Sequence, residues 1–168
     1  MHLGDKAEAI RKLMTGHIEK ARDSYRIASL SADPVNFLLW SHYAGGHRGI
    51  AIEVDIPQDH PDLCELTYSD FSSVFTDEDN LENDADLRHL FNGKSPEWTY
   101  EKEYRVIYEK DFFDLPSAIT RVLLGPMAAE NHANILRAAL PSRIELVRTE
   151  LDYEQGQLRV LSTSATSG

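Results

Sequence analysis

Two stretches of the sequence concentrate side chains able to do chemistry. Asn36 to Asp55, NFLLWSHYAGGHRGIAIEVD, brings Trp40, His42, Tyr43, His47, Arg48 and Glu53 close together. Trp98 to Glu109, WTYEKEYRVIYE, carries Glu101, Glu103 and Arg105 behind a tryptophan. His42 and His47 are acid–base candidates, with Glu53 or Glu103 as partner, because imidazole titrates near neutrality. The alternative makes His42 a core histidine bonded to a carbonyl and His47 a turn residue. A metal needs three or four convergent ligands, and this pair offers two across a glycine break, so no metal site is assigned. Arg48 beside Gly49 can take a phosphate or carboxylate, since glycine lets an anion approach the backbone. In so acidic a chain, an internal ion pair with Glu53, Glu101 or Glu103 is the favoured alternative, because a buried arginine must be paired. Glu101, Glu103 and Arg105 share one face of a regular strand, with neighbours ~6.5 Å apart. Two nearby carboxylates raise one pKa, which general acid–base chemistry uses; the same row also reads as a solvent-facing ladder of charges.

The elements that must position these residues are legible from period and punctuation. Asp33 as N-cap and Pro34 as first helical residue open a helix that Gly45 and Gly46 close. That helix is apolar nearly all round and reads as buried. Gly49 to Asp55 alternates as a strand, with Ile50, Ile52 and Val54 on one face and Ala51, Glu53 and Asp55 on the other. Upstream, Leu3, Ala7, Ile10, Leu13, Met14, Ile18 and Ala21 recur at helical spacing over residues 4–23, and Tyr25 to Ser31 reads as a strand. Residues 56–62 form a proline-punctuated loop before a short strand, Cys64 to Tyr68. The acidic run Thr76 to Asp86 leads into a helix ending near Phe91; it lacks the glycine and terminal glutamate of a calcium-binding EF-hand loop. Tyr104, Val106 and Tyr108 form the inward face of the second chemical stretch. Ile119 to Leu124, then a helix with the stripe Ala128, His132, Ile135, Leu136 and Ala139, then Arg143 to Thr149 make a βαβ unit. Gln157 to Leu161 adds an edge strand, and the tail from residue 161 is expected to be disordered.

Composition narrows the partners. The 168 residues are 42% hydrophobic and 27% charged, which suits one globular domain over residues 1–160. Net charge is −11, against the local positive potential that nucleic acid and anionic membranes require. A single cysteine, Cys64, excludes an internal disulfide and a multi-cysteine zinc site. No segment approaches the ~20 apolar residues of a membrane span, and the start does not read as a signal peptide, so a cytoplasmic location is expected. There is no Gly-x-Ser-x-Gly elbow, phosphate-binding loop or dinucleotide fingerprint, so no cofactor is specified.

Trp40-Ser41-His42-Tyr43-Ala44, His47-Arg48-Gly49 and Trp98-x-x-Glu101-x-Glu103-Tyr104-Arg105 together resemble the signature of the bacterial family catalogued as domain of unknown function 2971. Ser29-Leu30-Ser31 and Leu124-Gly125-Pro126 extend the resemblance from about Tyr25 to Thr149. The family implies no established activity. Its members resemble longer chains with more sequence before the strand at Tyr25, which makes this a shortened member with a sheet edge open to self-association. Separately, Ser29-x-Ser31 followed by Glu101-x-Glu103 resembles the pattern of ADP-ribosyltransferases, which implies serines bracing a nicotinamide pocket and Glu103 holding a ribose. The arginine of that pattern is missing from its separate strand, since Arg26 lies only three residues before Ser29.

The expectation is therefore an α/β or α+β domain with a central mixed sheet, a buried helix after its first strand and a C-terminal βαβ unit. The candidate catalytic residues are His42, His47, Glu101 and Glu103. The candidate ligand-binding residues are Ser29, Ser31, Trp40, Tyr43, Arg48, Glu53, Trp98 and Arg105, in a polar cleft between the glycine corner and the charged strand. The ligand expected is a small, anionic or nucleotide-like molecule. The competing expectation is a binding or interaction module in which these side chains form an internal network.

Overall fold

A computed structural model describes residues 3–69, 91–113 and 119–161. In chain order the elements are helix α1 (Leu3–Ser24), β1 (Arg26–Ser31), α2 (Phe37–Tyr43), β2 (Ile50–Val54), β3 (Leu63–Glu65), β4 (Thr67–Tyr68), β5 (Gly93–Lys94), a 3₁₀ helix (Pro96–Glu101), β6 (Glu103–Tyr108), β7 (Ile119–Leu124), α3 (Glu130–Ala139), β8 (Glu145–Asp152) and β9 (Gln157–Val160). The mixed α/β character expected from the sequence is present. The described strands, however, fall into three sheets instead of one central sheet. The chain also divides into two compact units, one from Met1–Ala32 and Asp59–Phe113, the other from Asp33–Gln58 and Asp114–Gly168. The acidic run 76–86 and the tail from residue 162 lie outside the described residues, as do the α1 stripe side chains other than the exposed Ile18.

In the first unit β6 is the middle strand of an antiparallel sheet ordered β1-β6-β3. Its register sets Ser29 opposite Arg105 and Ser31 opposite Glu103. Val106 and Ile107 are both buried although they point to opposite faces, so β6 is covered on both sides. The expected single inward face of Tyr104, Val106 and Tyr108 is thereby corrected. The strand expected over Cys64 to Tyr68 breaks at Leu66, whose N–H turns to the Glu103 carbonyl at 3.2 Å. β4 then pairs in parallel with β5 in a separate two-stranded sheet. Glu101 belongs to the 3₁₀ helix and not to the strand, because Lys102 takes a left-handed φ of 45° between them.

The second unit is a sheet ordered β2-β7-β8-β9, with a parallel β7–β8 pair joined through α3 and antiparallel pairs on either side. This is the expected βαβ unit. One face packs Leu123, Val147 and Leu158 against Trp40 and Ala44, with Ala51 alongside. The other face packs Leu124 and Leu146 against Ala128, Ala133 and Leu136 of the α3 region. The stripe expected on α3 is rotated: Ala133 is fully buried, while Ile135 is 63% exposed and His132 is exposed. β2 is corrected too. It is an outer strand, so Ile50 and Ile52 remain largely exposed and Ala51 is the residue that packs inward.

α2 is less buried than its sequence implies. Trp40 is buried within it, whereas Phe37 and Leu38 are half-exposed. Its N-cap is Asn36, whose Oδ1 accepts the Leu38 and Leu39 N–H groups at 3.1 and 3.2 Å. The expected cap, Asp33, instead accepts the Val35 N–H at 3.2 Å in the turn before the helix. Both carboxylate and amide side chains can cap, and the one that sits where the helix begins takes the role.

Candidate functional site

The twelve candidate residues divide between the units. Ser29, Ser31, Trp98, Glu101, Glu103 and Arg105 belong to the first; Trp40, His42, Tyr43, His47, Arg48 and Glu53 belong to the second. Each group is built by different local rules.

In the first unit Glu101 and Glu103 are both buried, so the row is not a solvent-facing ladder. What neutralises them is Lys94, a residue with no distinguishing sequence signal. Its Nζ donates to Glu101 Oε2 and, at 2.6 Å, to Glu103 Oε2. Arg105 Nε donates to Glu103 Oε1 at 2.8 Å, and its guanidinium also reaches the Phe91 carbonyl. Ser29 hydrogen-bonds the Glu103 carboxylate, and Ser31 Oγ donates to the Glu101 carbonyl at 2.7 Å. Tyr68 Oη accepts the Glu103 N–H at 2.8 Å. Trp98 lies under the ammonium, with Lys94 Nζ 5.1 Å from its ring centre. Burial pushes the Glu103 carboxyl up, but hydrogen bonds from Lys94, Ser29 and Arg105 outweigh it and hold the group below its ordinary value. Burial likewise lowers Lys94, and the bonds to Glu101 and Glu103 carry it above its ordinary value. Two carboxylates and two cations therefore form a closed knot in which every charged group is paired.

The second unit presents a different corner. Gly45, Gly46 and His47 adopt left-handed φ values of 56°, 61° and 66° in succession. The turn they form wraps the end of α2. The Gly46 N–H donates to Ser41 O at 3.2 Å, His47 N–H to Trp40 O at 3.1 Å, Arg48 N–H to Ala44 O at 3.0 Å and Gly49 N–H to Ala44 O at 2.7 Å. These amides satisfy the helix's orphan carbonyls and are not left for an anion. Gly125 locks the corner to the sheet. Its N–H donates to Gly49 O at 2.9 Å, and a Cβ placed on it would lie 2.2 Å from His47 O. The Leu124-Gly125-Pro126 turn thus needs its glycine for close approach and not for a ligand.

Side chains are what this corner has left to offer. Arg48 is exposed and bends over Gly46, with a 3.5 Å contact to that residue's carbonyl. The favoured sequence reading paired Arg48 with Glu53, Glu101 or Glu103, and within its own unit the pairing with Glu53 is corrected. Glu53 is taken by Arg121 Nη2 at 2.5 Å and Thr120 Oγ1 at 2.9 Å, and Arg121 chiefly holds its carboxyl below the ordinary value. The other two acids belong to the Lys94 knot. Arg48 has no carboxylate partner among the described residues. His47 is 7% exposed and its ring lies 4.5 Å from that of Phe37. Its Nδ1 is buried with no hydrogen-bond partner in the protein among the described residues. A left-handed non-glycine residue costs about 1–3 kcal/mol, and an unsatisfied buried polar atom about 1–3 kcal/mol. His47 combines both penalties.

The remaining candidates serve packing or stand apart. Trp40 is core, with its indole N–H donated to Pro34 O at 2.8 Å. His42 and Tyr43 are exposed, their rings 6.2 Å apart. Buried His47 and exposed His42 are in different surroundings, and no three metal-ligating side chains gather among the described residues. Sequence reasoning missed Lys94, Arg121, Tyr68 and Phe37. Arg121 was findable as the charged residue opposite Glu53 once β2 and β7 were aligned; Lys94 had no such signal.

The site thus defines a mixed α/β protein with a strained polar corner in one unit and a paired charge knot in the other. Residues 39–106 match the family model described as "Protein of unknown function (DUF2971)". No curated protein and no solved structure matches it.

Proposed function

We propose that this protein binds a small anionic, nucleotide-like molecule, with Arg48 as the anion-holding group. His47 is the adjacent candidate for acid–base work. The supporting observation is that Arg48 stands exposed beside His47, without a carboxylate partner among the described residues, in a chain of net charge −11 whose Arg105, Arg121 and Arg148 all have one; Arg143 shares that lack but not the place at the glycine corner. An arginine left unpaired amid so many acids is available to a carboxylate or phosphate, which its planar fork grips bidentately. The test is thermal unfolding with inorganic phosphate, nucleotides, NAD and sugar phosphates. A ligand of the folded state raises the midpoint by mass action, and Arg48→Ala abolishes that rise. The absence of any shift, or a wild-type shift in Arg48→Ala, rejects the proposal.

A second reading makes the protein a non-catalytic interaction module, supported by the closed pairing of Lys94, Glu101, Glu103 and Arg105. The ADP-ribosyltransferase-like alternative draws support from the Ser29–Glu103 hydrogen bond. It predicts that NAD alone among the ligands shifts the midpoint and that Glu103→Gln removes the effect. Self-association through an uncovered sheet edge and a cytoplasmic location belong to the same proposal. No helix among the described residues is long and apolar enough to cross a membrane.

A further inference from the structure

We propose that the His47 imidazole is a ligand-binding group held where it lowers the stability of the fold, and that the corner's ligand carries a neutral hydrogen-bonding oxygen or nitrogen beside its anion. The ligand's charge rests on the anion-binding reading above; the role of the imidazole does not. Nothing local requires a histidine at this position. The backbone takes φ 66° directly after two left-handed glycines, a conformation glycine adopts without strain. The main-chain bonds of residue 47, from its N–H to Trp40 O and to its carbonyl from the Met127 N–H at 3.1 Å, would be made equally by glycine. The ring's contact with Phe37 needs only an apolar surface.

The remaining property of the side chain is its buried nitrogen, and that nitrogen has no partner among the described residues. The other buried polar side chains are treated otherwise: Glu101 and Glu103 share Lys94, and Thr149 Oγ1 donates to Leu124 O at 2.8 Å. A buried polar atom without a partner calls for a reason, and a binding role is one that a strained backbone commonly accompanies. Because the amides of residues 46–49 are all engaged, a ligand at this corner finds its polar contacts on side chains. Arg48 offers the charge and His47 Nδ1 a hydrogen bond, which a ligand reaches by displacing the groups that close this nitrogen to solvent. The class indicated is a phosphate or carboxylate bearing a hydroxyl or carbonyl, such as a sugar phosphate.

The experiment compares the full chain with His47→Gly and His47→Asn, both side chains that tolerate a left-handed backbone. Thermal unfolding is followed alone, then with inorganic phosphate, propyl phosphate and glycerol 3-phosphate. Without ligand, both variants are expected to melt at or above the wild type, His47→Gly by about 2–4 °C. The wild type should be raised more by glycerol 3-phosphate than by propyl phosphate, which differ only in their hydroxyls. That preference should vanish in both variants while their response to inorganic phosphate persists. Variants that melt well below the wild type make the imidazole a structural group and overturn the inference, as does a preference that survives in them. A wild type that answers to inorganic phosphate without preferring glycerol 3-phosphate overturns this inference alone; one that answers to none of the three, nor to nucleotides or NAD, overturns the anion reading with it.

Discussion

Lys94 and Arg48 are two cations in the same acidic chain, and the fold treats them in opposite ways. Lys94 is mostly buried and lies between two carboxylates, over a tryptophan ring, next to an arginine that shares one of its acids. Arg48 is exposed above a glycine turn, with a single long contact to a carbonyl and a neighbour whose buried nitrogen has no partner. The contrast separates polar groups that hold a structure together from those available to something else. A buried charge is stable only when matched, and once matched it has little left to offer a ligand. A closed knot therefore argues for scaffold, and an unbalanced corner argues for use.

The sharpest way to break the comparison is to unbalance the knot. Lys94→Met leaves Glu101 and Glu103 buried together without their shared ammonium, and should destabilise the protein by about 3–5 kcal/mol in urea unfolding. Adding Glu101→Gln and Glu103→Gln should recover much of that loss; if Lys94→Met alone is neutral, the knot is not structural. Gly125→Ala strikes the other region. A Cβ against the His47 carbonyl forces backbone apart, with an expected loss of about 1–3 kcal/mol. An unchanged unfolding midpoint would mean the corner is not locked to β7.

A smaller effect is expected in the pH dependence. The folded Glu103 carboxyl titrates below its ordinary range, so its contribution is complete above that range and is lost as pH falls through the depressed value. Lys94 is raised, so its contribution is complete below the ordinary lysine range and is lost as pH rises through the raised value. Urea midpoints measured across pH should fall at both ends, and Glu103→Gln should flatten the acid limb relative to wild type. An acid limb of equal slope in the two proteins would show that other carboxylates control it. The smallest change expected in stability is that of Arg48→Ala, within about 0.5 kcal/mol, as for an exposed side chain with little to lose. Its measurable consequence is the lost response to anions.

Much of the fold was legible because it is written locally. Ile119 to Leu124 is a strand over the residues its composition indicated, and Gly125-Pro126 turns the chain into the helix of a βαβ unit. The left-handed glycines at 45 and 46 end α2 as glycine pairs are apt to do. Facing was less legible. Ile50 and Ile52 alternate as a core strand would, yet they lie on an outer strand; Ile135 sits in an apolar stripe, yet it points outward while Ala133 packs. Period tells which residues share a side, and only the neighbours decide which side is covered.

The sequence by itself determined where α2, β2 and β6 lie, which side chains could do chemistry, and the match of residues 39–106 to a family model; it did not show the 3₁₀ helix that carries Glu101. Only the tertiary structure decided how those side chains are partnered: Lys94 with Glu101 and Glu103, Arg121 with Glu53, and no acid with Arg48 among the described residues. The physical reason is range. Turns, caps and periodicity arise from residues a few positions apart, whereas the balance of a buried charge depends on segments brought together by strand pairing, and no local pattern encodes which acid each arginine meets.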